Sequence, residues 1–182
     1  MELTAKPVSY SQTVLTELMI PSYANFGGKI HGGIILSLMD KVAYACASRH
    51  AGAYCVTVSI DTVDFLQPVE VGELVSLRAS VNYVGNTSIV VGIRAEAENV
   101  KTGQIKHTNT SYFTMVAKGE DDRPTQVPEL ILESEVQVRR FMEAMARKSI
   151  KQKSRQEMAS AKSAITLKEI NLLKSERCIV NM

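Results

Sequence analysis

Between residues 25 and 40 of this 182-residue chain lie one amide, one imidazole, four glycines and one carboxylate. The run Asn25-Phe26-Gly27-Gly28-Lys29-Ile30-His31-Gly32-Gly33 leads straight into a stretch rich in Ile, Leu, Met and Ala. Glycines at a helix start let a ligand approach the backbone, and the free N–H groups there carry about half a positive charge. Such a place suits an oxyanion. Seven residues beyond Gly33, two helical turns on, Asp40 supplies a carboxylate. The residue types leave simpler readings open: a helical Asp is often solvated or ion-paired, here with Arg49 or a lysine from elsewhere, and His31 beside glycines is often a cap or packing residue. No GxGxxG, P-loop, GxSxG or HExxH is present, so nucleotide-dependent chemistry, a serine elbow and zinc hydrolysis have no motif support. What remains is a carboxylate, an amide and a helix N-terminus.

These groups need elements to hold them. Gly32–His50 has no proline or internal glycine beyond its start, and Ser37, Asp40, Lys41, Tyr44 and Ser48 recur at helical spacing. They form one narrow polar stripe on an otherwise apolar helix, which is therefore buried over most of its circumference. Strand patterns follow. Cys55–Phe65 is β-branched and aromatic, but its apolar positions change parity, which predicts a bulge near Asp61–Thr62. In Leu74–Val84 the residues Val75, Leu77, Ala79, Val81 and Tyr83 share one face; Ile89, Val91, Ile93, Ala95 and Ala97 do so in Ser88–Val100. Gly85-Asn86 marks the hairpin between them, and Lys101–Gln104 turns into a further strand, His107–Val116. The fold class is α+β, with an antiparallel sheet wrapped around one long central helix and a C-terminal helical extension.

Composition changes at Asp121–Pro128. Residues 1–128 carry 10 basic and 12 acidic groups; residues 129–182 carry 11 and 7. We place the boundary there, with a domain over 1–127 and a basic helix and tail over 128–182. An amphipathic helix is predicted over about 130–152, with Val138, Phe141, Met142 and Met145 on its apolar side and a polar, weakly patterned stretch from Lys153. The excess charge is modest and interspersed with acids, which argues against a nucleic-acid partner. An apolar fraction of 45% with 22% charged residues excludes a disordered or fibrous chain. No run is long and apolar enough to span a membrane, and the start lacks the pattern of a signal peptide. Cys46, Cys55 and Cys178 show no metal spacing. A cytoplasmic protein with reduced thiols and no metal is the expectation.

The segment resembles the hotdog-fold acyl-CoA thioesterases, in particular the branch of hexameric acyl-CoA hydrolases. The matching residues are Asn25, GGKIHGG (27–33) leading to Asp40, DFLQPVEVGELV (64–75) and VGNTS (84–88), in that order over about residues 10–127. The resemblance implies hydrolysis of acyl-CoA to free acid and CoA in fatty-acid metabolism. CoA enters as part of the substrate, and no separate cofactor is needed. Asp40 would be general base or nucleophile, and Asn25 from the facing subunit would position water or thioester. Gly32 and Gly33 would offer N–H groups to the thioester oxygen, each such donor being worth about 3 kcal/mol of barrier. The loop of Gly85, Thr87 and Ser88 would hold CoA phosphates, and Val56, Thr57 and Val58 would lie along the pantetheine arm. His31, Arg94 and Lys118 are further candidates for substrate or CoA contact. The assembly implied is a homo-oligomer, a dimer of hotdogs built into a trimer of dimers.

Two other readings stay open. The HGG followed by Asp is also similar to the phenylacetyl-CoA type of hotdog thioesterase, and some hotdog domains sense acyl-CoA without cleaving it. Hotdog dehydratases use a His base with an acidic partner; an Asn and an Asp at the expected sites here argue against dehydration.

Overall fold

The computed structural model describes residues 4–166, 170, 172–173 and 175–181. In chain order it contains β1 (Lys6–Pro7), α1 (Val8–Ser11), β2 (Thr13–Leu18), a 3-10 turn at Pro21–Tyr23, and α2 (Gly32–Ala51). Then follow β3 (Tyr54–Ile60), β4 (Leu74–Val84), β5 (Ser88–Asn99), β6 (Gln104–Lys118), β7 (Leu130–Ile131) and α3 (Glu135–Ala164). The chain divides into two units, Met1–Ala144 and Met145–Met182, with the division falling inside α3.

Helix α2 starts and stops where its sequence dictates. His31 caps the start, its Nδ1 accepting from the Gly33 N–H at 2.9 Å. Gly52 ends it in the left-handed region at φ 68°, donating its N–H to the Ser48 carbonyl, with Arg49 and His50 in the last turn. Ile35, Leu38, Met39, Val42, Ala43, Cys46 and Ala47 bury the apolar side. Each large buried side chain among them stabilises the fold by about 1.5–3 kcal/mol.

Five antiparallel strands in the order β2-β4-β5-β6-β3 receive this helix, and α2 touches all five. Val75, Leu77, Ala79 and Val81 of β4, Ile89, Val91, Ile93, Ala95 and Ala97 of β5, and Phe113, Met115 and Ala117 of β6 form the buried face. The α+β plan of a sheet around one long helix is the observed one.

Three details differ from the expectation. The register shift in β3 falls between Thr57 and Ser59, not near Asp61–Thr62. Beyond Ile60 the chain leaves the ladder but still follows β6, through Asp61 N–H to Tyr112 O and Leu66 N–H to Thr108 O. A second shift, between Val81 and Tyr83, reverses the parity of β4. Val84 therefore packs on the core, and Tyr83 tilts against Phe141 of α3, ring centroids 5.0 Å apart. Finally, α3 is displaced and longer than predicted. Residues 130–131 are taken by β7, which pairs in parallel with β1, while residues 153–164 continue the helix because they contain no Gly or Pro and are rich in Lys, Gln, Arg, Glu, Met and Ala.

Candidate active site

The polar stripe of α2 faces β3. Thr57 Oγ1 donates to Asp40 Oδ1 at 2.6 Å and also lies 3.2 Å from Met115 Sδ. A hydroxyl has one proton, and a carboxylate is a far stronger acceptor than a thioether, so that proton serves Asp40. Around the pair is a cleft of about 320 Å³, walled by Lys41, Tyr44, Tyr54, Cys55 and Val56 as well. The Tyr44 and Tyr54 rings lie 5.9 Å apart. Burial pushes the Cys55 thiol up, so it stays protonated and forms wall, not nucleophile.

Upstream of the helix, Asn25 organises its own loop. Its Oδ1 accepts from the N–H groups of Gly27 at 2.9 Å and Lys29 at 3.2 Å, and Gly28 takes φ 76°, which a side chain disfavours. The loop is tied to 66–73 by Ile30 N–H to Val69 O and by the Lys29–Glu70 ion pair at 2.6 Å. Glu73 beneath it is buried, paired with Lys106 at 2.8 Å and accepting from the Glu70 N–H. Phe65 covers the helix start: a Cβ on Gly32 would stand 3.0 Å from its ring.

On the other side of Thr57 lies the hairpin loop 85–88. Val56, Val116 and Ser88 form one row across β3, β6 and β5, so the loop is two strand spacings, about 10 Å, from the cleft. Gly85 N–H donates to Ser88 O, Thr87 O accepts from Ala117, and Asn86 O accepts from Val127. Lys118, opposite Tyr54 in the register, bonds to the Asp122 carbonyl at 2.6 Å. Among the described residues no group of three or more His, Cys, Asp or Glu is placed to hold a metal, and no helix is long and apolar enough to cross a membrane.

The sequence profile of the Thioesterase superfamily matches residues 27–104. A relative from Helicobacter pylori, protein VdlD, is 43% identical over 150 residues, spanning 82% of this chain and 86% of its own. A solved structure described as an apo-hexameric acyl-CoA thioesterase superposes with a TM-score of 0.80 at 36% identity, over 83% of this chain and 97% of the other. The chain belongs to the hotdog-fold acyl-CoA thioesterases. An acyl-CoA hydrolase from Staphylococcus aureus, solved with butyryl-CoA and CoA, is also similar to this thioesterase, with a TM-score of 0.79 at 28% identity over 87% of this chain and 97% of that one.

Within one chain the thioesterase gathers Asp40, Thr57 and Val56 in the cleft, with Gly85, Thr87, Ser88 and Lys118 toward one end of it. It does not bring all the expected residues there. His31 is the helix cap, and the Gly33 N–H is spent on it, which leaves the Gly32 N–H as the donor at the helix start. Val58 is exposed at the bulge and is not a cleft wall. Asn25 bonds within its loop, and Arg94 lies on the face of the sheet away from α2, bonded to Glu96 at 2.8 Å. Nothing local in the sequence marks Tyr54 or Met115 as walls of the cleft. Tyr44 carried a signal, being i+4 from Asp40 on the polar stripe.

Proposed function

We propose that the thioesterase hydrolyses acyl-CoA with Asp40 as general base, Thr57 as the group that orients it, and Asn25 from a second copy positioning water or thioester. The observation that carries this is the 2.6 Å Thr57–Asp40 hydrogen bond in a cleft at the middle of α2. Thr57 holds Oδ1, so Oδ2 is the freer acceptor for a water proton. The water oxygen bonds to the thioester carbonyl carbon, and the resulting oxyanion faces the helix-start N–H of Gly32 from the second copy, which arrives with that copy's Asn25 loop, because the same chain's helix start lies about 12 Å along α2 from Asp40. Collapse breaks the C–S bond, and the proton held by Asp40 leaves with the CoA thiolate. The S. aureus hydrolase supports the choice of residues. It has also been solved with alanine replacing an asparagine, an aspartate and a threonine, at intervals of 15 and 17 residues. Asn25, Asp40 and Thr57 are separated by the same intervals.

The residues 1–127 would form the catalytic domain and 128–182 a basic helix and tail. Loop residues Gly85, Thr87 and Ser88, with Lys118, would meet the CoA phosphates, and Val56 the pantetheine arm. A homo-oligomer has support from the sheet edge, where β3 is terminal in the strand order and exposes Tyr54, Val58 and Ile60, and its building as a trimer of dimers has support from the similar thioesterase described as hexameric. Phe26, next to Asn25, is fully exposed. A second copy covering both would bring its Asn25 loop to the cleft. The free cysteines suit a reducing cytoplasm.

Free-thiol release from a panel of acyl-CoAs tests the proposal. Wild type should release CoA, and Asp40→Asn should lose roughly 10²–10⁴-fold in kcat while still binding CoA. Wild type that binds acyl-CoA without releasing thiol would instead be a sensing module.

A further inference from the structure

On the face of the sheet away from α2, a hollow of about 440 Å³ opens between β2, β4, β5, β6 and the first turns of α3. Two departures from a regular sheet build its floor. The register shift between Val81 and Tyr83 accompanies a pair of buried polar residues, Ser80 and Asn82, 8% and 5% exposed, with Ser80 Oγ donating to Asn82 Oδ1 at 3.1 Å. Next to them Gly92 carries no side chain. Asn82 Nδ2 occupies that space, only 2.3 Å from where a Cβ at position 92 would stand.

The walls are cationic. Arg78 and Arg94 stand directly opposite each other on β4 and β5, an arrangement that costs stability unless something neutralises it. Glu96 does so in part, bonded to Arg94 at 2.8 Å and paired with Arg78 at 3.4 Å. From α3 come Arg139, paired with Glu143, and Arg140. Four guanidinium groups thus face two carboxylates, and the remaining two positive charges border a hollow whose size falls in the range of small-molecule pockets. Guanidinium forks match phosphate oxygens two at a time. Tyr112 lines the same hollow and offers an aromatic surface beside them.

We propose that this hollow is a second anion site, separate from the Asp40 cleft, that takes a small organic phosphate with two negative charges. The sheet itself stands between the two sites within a chain. Arg94 and Arg140 grip the phosphate, while Asn82 and Tyr112 receive the organic part. Arg94, which the family resemblance offered to CoA, has its role here.

Calorimetric titration of the full chain with phenyl phosphate and with inorganic phosphate, at fixed ionic strength, tests this. Phenyl phosphate should bind saturably, tighter than inorganic phosphate, and equally well when CoA is saturating. Arg94→Gln and Arg140→Gln should each weaken it roughly tenfold, and Asp40→Asn should leave it unchanged. Circular dichroism of each variant separates lost binding from lost fold, and both arginines are exposed enough for the fold to survive. Failure to bind at millimolar concentration, equal affinity for both probes, or insensitivity to both arginine variants overturns the proposal. Displacement by CoA also overturns it, because the hollow would then be the seat of CoA's own phosphates.

Discussion

Asp40 is held by one hydrogen bond whose donor lies 17 residues away in sequence, and that bond is what turns a helical carboxylate into an oriented one. Removing the hydroxyl while keeping the shape tests its role. Thr57→Val should lower kcat by up to about 100-fold with little change in KM, because the carboxylate then samples orientations that miss the attacking water. Steady-state thiol release resolves the two constants, and an unchanged kcat would strip Thr57 of its orienting role. The spacing of Asn25, the glycines and Asp40 was legible in the sequence, because all of it lies within one loop and two turns of helix. The Thr57 contact was not. The family resemblance places Thr57 along the pantetheine arm, and only the docking of β3 along α2 shows that its hydroxyl meets Asp40. His31 was legible as a cap because that interaction spans two residues.

At the scale of elements, the hairpins at Gly85–Ser88 and Lys101–Gly103 followed from their turn residues, and the inner faces of β4 and β5 from alternation. The bulges did not. A parity change in sequence locates a shift only to within a few residues, and Val81–Tyr83 carries no local sign of one. The end of α2 carries a pH-sensitive link to the rest of the fold. His50 is fully buried, its Nε2 lies 3.0 Å from the Pro128 carbonyl, and burial, with the Lys6 ammonium bonded to the His50 carbonyl close by, lowers its pKa. The neutral ring donates to Pro128. In the unfolded chain the same histidine titrates near about 6.5. Below that pH the unfolded chain takes up a proton that the folded one resists, so stability falls as pH drops from there through the lowered folded pKa. Urea midpoints should therefore decline on acidification across this window. His50→Gln, which can still donate to Pro128 but does not titrate, should flatten the decline; an identical slope would assign the acid sensitivity elsewhere.

For the whole molecule, the cleft of one chain lacks an amide, and Asn25 of the same chain is engaged in its own loop. Mixing and reassembling inactive Asp40→Asn with inactive Asn25→Ala should restore part of the activity, because some interfaces then hold both intact residues. No recovery after demonstrated exchange of subunits would argue against a shared site. The division after Ala144 makes a second test possible. A chain ending at Ala144 keeps the sheet, α2 and the walls of both pockets. It should unfold cooperatively and retain thiol release, read by denaturation and by the CoA assay.

The sequence by itself determined the fold class, the buried helix with its carboxylate, the hairpins and the family, because these depend on periodicity, turn chemistry and motifs within short stretches. Tertiary structure alone decided that Thr57 meets Asp40 and that Tyr83 turns out of the core face of β4 toward Phe141. Each of these depends on which strands become neighbours and on which face a side chain emerges, and a single-residue bulge is enough to reverse that face.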